Sequence, residues 1–283
     1  MTTVIAAIHV LILVASRDLG AALLFFVTYV VMLYVATKKL LYFAGGLAAG
    51  SAASVVAYHL FSHIRVRVRA WQNPLAYIDK EGYQISQSLF AIGTGGWFGM
   101  GLYQGLPDKI PVVKQDFIFS AVSEELGGIF ALCLIMVCFS CFLMFLNIAM
   151  QMKDQFYKLV ALGLGTIYAF QVFLTIGGVT KFIPSTGVTL PLVSYGGSSL
   201  LSSMIIFAVI QGLYILRQDE GEINASKSRK NRQNRKKDNR IRKRRHRKNS
   251  RKKQPGIYGH YLCSSCTFCL HDGIFCIFPV CKK

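Results

Sequence analysis

The chain has 283 residues, is 53% hydrophobic and has a mean hydropathy of +0.43, values that exclude a soluble domain of this size. The net charge of +19 is not spread over the molecule: Arg217 to Lys253 holds 18 Lys/Arg against four Asp/Glu. Several uncharged runs approach the roughly 20 residues that cross a bilayer. The composition therefore predicts an all-α polytopic membrane protein, whose helices satisfy their own backbone hydrogen bonds in lipid.

Residues 1–16 are apolar (VIAAIHVLILVAS) and end at Arg17-Asp18; they are short for a span and lack the basic start and cleavage site of a signal peptide. Residues 19–37 are a clear span, followed by Lys38 and Lys39 as an interfacial pair. Residues 40–61 are a second span with a small-residue face (Gly45, Gly46, Ala48, Ala49, Gly50, Ala52, Ala53), suited to close helix packing in lipid. Residues 62–126 form a long region between spans. It opens with Arg65, Arg67 and Arg69, and its uncharged, glycine-rich middle (AIGTGGWFGMGLYQG) admits two readings. It spans, or it lies at the interface with Trp97, Phe98 and Tyr103 as anchors.

Pro107 and Pro111 precede an acidic stretch, in which Asp116, Glu124 and Glu125 stand directly before a long apolar run. Charges beside a bilayer need a reason, because burying one in hydrocarbon costs roughly 3 kcal/mol or more. The plain alternative is a solvated helix start, where the dipole favours carboxylates. Residues 129–150 and 159–179 are spans joined by a polar turn. A loop with two prolines (KFIPSTGVTLPLV) then leads into Ser194-Tyr195-Gly196-Gly197-Ser198-Ser199 and a last span ending near Leu216. About six transmembrane helices are expected, counting the short first one. Lys/Arg-rich flanks stay cytoplasmic. The basic tail therefore puts both the 181–193 loop and the Asp116 stretch on the outer face. Whether the three arginines are also outside depends on whether 84–105 spans, and the residue pattern leaves that open.

The residues that follow resemble one family. Asp18-Leu19-Gly20 comes first, then Arg65 to Pro74, Gly82-Tyr83-Gln84, Gln87-Ser88 and Ala91-Ile92-Gly93. The run Thr94-Gly95-Gly96-Trp97-Phe98-Gly99-Met100-Gly101 is next, then Asp116-Phe117-Ile118-Phe119, Glu124-Glu125-Leu126-Gly127, and Pro184 to Ser199. In this order and spacing the chain, from about residue 17 to 216, resembles the SEDS family (RodA, FtsW, SpoVE) of membrane glycosyltransferases that polymerise lipid II into peptidoglycan. The resemblance implies a long extracytoplasmic catalytic loop at 62–126, between the third and fourth spans, within a membrane domain of residues 1–216. It also implies a bacterial cytoplasmic membrane location, and that the chain starts inside the family plan, with further spans ahead of it in full members.

Joining the 4-hydroxyl of a GlcNAc to an α-linked MurNAc on undecaprenyl diphosphate with inversion needs a base and cations for the leaving group. Asp116 matches the family's catalytic aspartate and is expected to be the general base. Arg65, Arg67, Arg69 and Lys114 suit a lipid diphosphate, the alternatives being headgroup anchoring for the arginines and plain solvation for the lysine. Glu124 and Glu125 either cap the following span or hold a cation or an arginine. Pro184, Ser194, Tyr195, Gly196, Gly197 and Ser198 form either a wall near the sugar and diphosphate or a helix cap. Asp18 is expected to pair with Arg17 or Arg65.

A divalent cation such as Mg2+ could assist the diphosphate, with no defined metal site and no other cofactor. The partners implied are lipid II, the undecaprenyl-diphosphate-linked glycan, a class B penicillin-binding protein (a transpeptidase) and the bilayer, with no nucleic acid.

Residues 217–255 read as a basic, disordered cytoplasmic tail able to lie on anionic lipid. Residues 256–283 are cysteine-rich: Cys263, Cys266 and Cys269, with His260 and His271 nearby, resemble a zinc spacing only superficially. Two rival functions remain at this level. One is a lipid II flippase using the same polar cavity; the other is a catalytically inactive scaffold.

Overall fold

A computed structural model describes residues 2–252, and the described residues contain helices and no strands. Helices α1 (Thr2–Ala15), α2 (Leu19–Thr37) and α3 (Leu40–Leu60) follow one another through short turns and pack in sequence. Asp18 is the N-cap of α2: its Oδ1 accepts from the Ala21 N–H at 2.9 Å, so it stabilises a helix start instead of pairing with Arg17 or Arg65 as expected. The small-residue face of α3 is used in part. A Cβ on Gly46 would press on Val30, and one on Gly50 on Phe26, both in α2.

Among the described residues, five helical segments have the length and composition to cross a membrane: α2, α3, α6 (Ile118–Gln151), α7 (Gln155–Val179) and residues Gly197–Asp219 of α8 (Gly197–Lys252). Helix α1 is apolar but has 14 residues, a rise of about 21 Å against a hydrocarbon thickness of about 30 Å. Phe145, Tyr168 and Phe207 pack edge-to-face with centroids 5.2–5.6 Å apart, knitting α6, α7 and α8 together around Ile148, Ala161, Ile210 and Leu213.

The region that the sequence left open is resolved by helix length. Helix α4 (Ser62–Gln72) is followed by a 3-10 turn at Leu75–Tyr77 and by α5 (Tyr83–Gly95). The 13 residues of α5 rise only about 20 Å, so residues 84–105 do not form a span. Both flanks of the region therefore lie at one end of the bundle, where the Gln84 amide donates to the Pro111 carbonyl at 2.9 Å. Helix α5 buries Ile85, Ser86, Ser88, Ala91 and Gly95 against α6 and α7. Ser88 ties all three together: its hydroxyl is 2.7 Å from the Ser120 hydroxyl and donates to the Val179 carbonyl at 3.0 Å.

Helix α6 is not continuous. Gly127 has φ 86°, ψ 170°, which breaks the helix at the point where the long apolar run begins. The break strips partners from the turn on each side, and the glycine-rich segment replaces them. The Met100 and Gly101 N–H groups donate to the Glu124 and Glu125 carbonyls at 2.9 and 3.0 Å, and the Gly128 and Ile129 N–H groups donate to the Gly96 and Trp97 carbonyls at 2.8 and 3.2 Å. Only glycine permits so close an approach. A Cβ on Gly95 would collide with the Ser123 carbonyl, and one on Gly99 (φ +77°) with the Glu125 carbonyl.

Of the described residues, those up to Glu222 form one compact unit and those from Ile223 another. Residues 217–252, expected to be disordered, are helical. Low apolar content argues against a packed core and says little about local backbone. Lys, Arg and Gln are good helix formers, and no Gly or Pro interrupts residues 222–253. The cysteine-rich segment 256–283 lies outside the described residues.

Gly99→Ala should destabilise the fold by about 2–4 kcal/mol, from a disfavoured backbone conformation and a carbonyl clash. Gly93→Ala, at an α5 position with open space around it, should be neutral or stabilising by about 0.5–1 kcal/mol. Thermal unfolding of the two variants in detergent checks both.

Candidate functional site

Asp116 stands in the loop just before α6 and is held by its neighbours. Phe117 is 1% exposed and packs with Ile110, Val113, Phe119, Ala91, Ala131 and Val179 in a second apolar cluster beneath the loop. With Phe117 anchored inward, the half-buried Asp116 faces a narrow, shallow recess. The recess is lined by Asp116, by Leu174, Thr175, Gly178 and Val179 at the end of α7, and by Ser185, Thr186, Gly187 and Val188 of the following loop.

The 184–188 loop reaches Asp116 because three glycines let it. A Cβ on Gly20 would fall 2.5 Å from Val188 Cγ2 and 3.0 Å from the Thr186 carbonyl oxygen, so the loop lies across the start of α2. A Cβ on Gly178 would be 3.3 Å from Ser185 Cα, so the loop also lies against α7. Gly187, at φ +78°, turns bare backbone toward the carboxylate: a Cβ there would be 3.6 Å from Asp116 Oδ2.

Side chains then pin the loop. Arg67 Nη1 donates to the Ser185 carbonyl at 3.1 Å, Thr175 Oγ1 to the Val188 carbonyl at 2.9 Å, and Trp71 Nε1 to the Lys181 carbonyl at 3.0 Å. Ser194, 7% exposed, joins the loop before α6 to the loop before α8. It accepts from the Leu190 N–H at 2.8 Å and donates to the Gln115 carbonyl at 2.6 Å, while the Tyr195 N–H donates to the Lys114 carbonyl at 2.8 Å. One polar atom of this wall has no partner: the buried Thr186 hydroxyl.

Burial raises the Asp116 carboxyl above its ordinary value of 3.8, and the nearby Arg67 charge pulls it part of the way back. A carboxylate so placed is a stronger base than an exposed one.

The expected site residues are only partly gathered here. Asp116 and Arg67 come together. Arg65 and Arg69 share an exposed side of α4 and do not line the recess; Arg69 lies 5.9 Å from the Tyr77 ring centroid. Three arginines at alternate positions look equivalent in an extended chain, but a helix turns 100° per residue and separates Arg67 from the other two. Lys114 and Tyr195 contribute backbone to the loop contact, and their side chains are exposed. Pro184 leads into Ser185, while Gly196 precedes α8 and Gly197 and Ser198 begin it; none of these three lines the recess.

Glu124 and Glu125 are engaged elsewhere. Glu124 is 6% exposed beneath Gly105 and its Oε1 accepts from the Leu106 N–H at 3.1 Å; the Glu125 carbonyl accepts from Gly101. Among the described residues, the recess offers a divalent cation one carboxylate, Asp116. Thr175 and Gly178 carried no signal in the sequence, since they sit in an ordinary apolar span. Thr186 and Gly187 lay within the recognised loop without being singled out.

Thr186→Val removes an unpaired buried hydroxyl at constant shape and should leave stability unchanged or raise it by up to about 1 kcal/mol. Ser194→Ala breaks a two-sided buried link and should cost about 2 kcal/mol. Thermal unfolding of the two variants side by side checks the contrast.

The model of a cell cycle protein family, covering FtsW, RodA and SpoVE, matches residues 1–218. Peptidoglycan glycosyltransferase RodA of Mycobacterium tuberculosis (strain H37Rv) is 43% identical over 203 residues, covering 72% of this chain and 43% of that protein. Stage V sporulation protein E of Bacillus subtilis (strain 168) is 38% identical over 207 residues, covering 71% of this chain and 55% of that one. A probable peptidoglycan glycosyltransferase FtsW of Aeromonas salmonicida is 34% identical over 205 residues, covering 71% and 52%. The chain thus spans about half the length of the curated relatives it matches. A chain in a solved structure of a peptidoglycan synthase complex shares the fold, with a TM-score of 0.62 at 22% identity, covering 77% of this chain and 61% of that one. With a matching model over most of its length and an all-helical membrane fold to agree with it, the chain belongs to the FtsW, RodA and SpoVE family of cell cycle proteins.

Proposed function

We propose that the Asp116 recess is the catalytic centre of a peptidoglycan glycosyltransferase that polymerises lipid II at the outer face of the bacterial cytoplasmic membrane. The observation that carries this reading is the half-buried Asp116, its carboxyl raised by burial, facing a recess walled by the 184–188 loop with Arg67 beside it. Relatives named peptidoglycan glycosyltransferase support it. Sidedness follows from charge. Helix α8 starts at the Asp116 end of the bundle and crosses toward the basic residues that begin at Arg217. With that basic end cytoplasmic, Asp116 is extracytoplasmic.

In this mechanism Asp116 takes the proton from the 4-hydroxyl of the acceptor GlcNAc as that oxygen attacks C1 of the donor MurNAc. The bond from C1 to the undecaprenyl diphosphate breaks with inversion, and the diphosphate leaves with the electron pair. Arg67 has two tasks, holding the Ser185 carbonyl and supplying positive charge near the recess. Arg65, Arg69 and Lys114 are exposed around this end and suit long-range attraction of a lipid diphosphate. A class B penicillin-binding protein, crosslinking the new glycan, is the proposed partner.

Asp116→Asn should lower polymerisation of lipid II supplied to the outer face by at least about a hundredfold, the usual scale for a general base. Gel analysis of the glycan product reads this directly. Full activity in Asp116→Asn would overturn the assignment, and transport of lipid II without polymerisation by the unaltered chain would favour a flippase.

Ionised Asp116 is the active form, so activity falls as pH drops through its folded pKa, on an acid limb above the ordinary 3.8. Arg67→Leu removes the charge that lowers that pKa and should move the limb to higher pH, which a pH–rate profile resolves.

A further inference from the structure

We infer that the glycine-rich segment after α5 is a bilayer-interface anchor, with Trp97, Phe98 and Tyr103 seated among the headgroups of the leaflet at the Asp116 end of the bundle. The observation behind it is an apolar surface with a defined height. Trp97, Phe98 and Tyr103 are 71%, 86% and 93% exposed, and Leu102 and Leu106 are 62% and 61% exposed. Residues 84–106 carry no charge at all, and the first charges come at Asp108 and Lys109. Exposed apolar area of this kind marks a contact with lipid or protein.

The hydrogen bonds to the broken helix decide between these. The Trp97 carbonyl accepts from the Ile129 N–H and the Gly96 carbonyl from the Gly128 N–H, so Trp97 is tied to the first turn after the break. In that turn and just beyond it the membrane-crossing part of α6 presents Ile129, Phe130 and Leu132 outward, 46%, 49% and 51% exposed. The aromatic surface is therefore continuous with the lipid-facing side of a span and level with its start. Trp and Tyr, apolar bodies with one polar handle, favour that level.

Depth is bounded from the other side by the backbone. Residues 96–106 are not helical, and irregular backbone is not tolerated in the hydrocarbon where lipid surrounds it. The segment is thus held at the interface. Anchoring it there fixes the height of the four cross-hydrogen bonds, and through them the start of α6 that follows Asp116. The inference needs only that the chain resides in a bilayer, and it does not depend on the reaction proposed above.

The chain has two tryptophans, Trp71 and Trp97, and Trp71 is tied to the Lys181 carbonyl. The test is fluorescence of the full chain in phosphatidylcholine bilayers, comparing unbrominated lipid with lipids brominated near the headgroup end or deep in the acyl chain. Subtracting the emission of Trp97→Phe from that of the unaltered chain isolates Trp97 by a conservative change. The expected result is Trp97 emission that shallow bromines quench more strongly than deep ones. Trp97 emission quenched by neither lipid overturns the inference: at the wavelength of water-exposed indole it places the segment in solvent, and at shorter wavelength beneath protein. Stronger quenching by deep bromines overturns it too, by placing the segment in the hydrocarbon.

Discussion

A membrane-crossing helix cannot be interrupted without cost, because each unpaired N–H or carbonyl in or near lipid costs several kcal/mol. This protein breaks α6 at Gly127 and repairs the break with backbone from residues 96–101. That cross-brace sets the arrangement around it. It obliges α5 to stop at Gly95, holds the glycine-rich segment against α6, and brings Glu124 under Gly105, where it accepts from Leu106. The glycines of this segment are thereby accounted for by close backbone approach, with no ligand required.

The second constraint is the placement of one loop. Residues 184–188 touch the start of α2 at Gly20, the end of α7 at Gly178, and Asp116 through Gly187. Arg67 from α4 and Thr175 from α7 hold its carbonyls. Elements far apart in the chain therefore meet at one small recess, and Asp116 acquires there both its partial burial and its neighbouring positive charge. The same wall keeps one hydroxyl, Thr186, unpaired. Leaving a buried polar group without a partner is destabilising.

Much was legible beforehand. Uncharged runs of sufficient length located the spans, because lipid demands both properties at once. Asp116, Glu124 and Glu125 stood out because carboxylates beside an apolar run are expensive, and the family resemblance singled out Asp116 among them. Other features were not legible. Three arginines at alternate positions read as one group until helix α4 rotated Arg67 away from Arg65 and Arg69. Glu124 and Glu125 read either as caps of the following span or as holders of a cation or an arginine; they precede a break that no local rule foretells, and their backbone carbonyls serve it. The basic tail read as disordered from its charge, whereas its residues are helix formers and the segment is helical.

The sequence by itself determined the membrane class, the approximate spans and the family, because these rest on composition, length and ordered motifs. The residue pattern left open whether 84–105 cross the membrane, the resemblance favoured a loop, and the length of α5 agrees with a loop. Only the tertiary structure decided that Arg67 alone of the three arginines holds the 184–188 loop beside Asp116, and that Thr175, Gly178, Thr186 and Gly187 complete the recess. The physical reason is the same in each case: these properties depend on which distant backbone lies close enough to pair or pack. That closeness is set by glycines at Gly20, Gly99, Gly127 and Gly178, whose partners lie up to about 170 residues away along the chain.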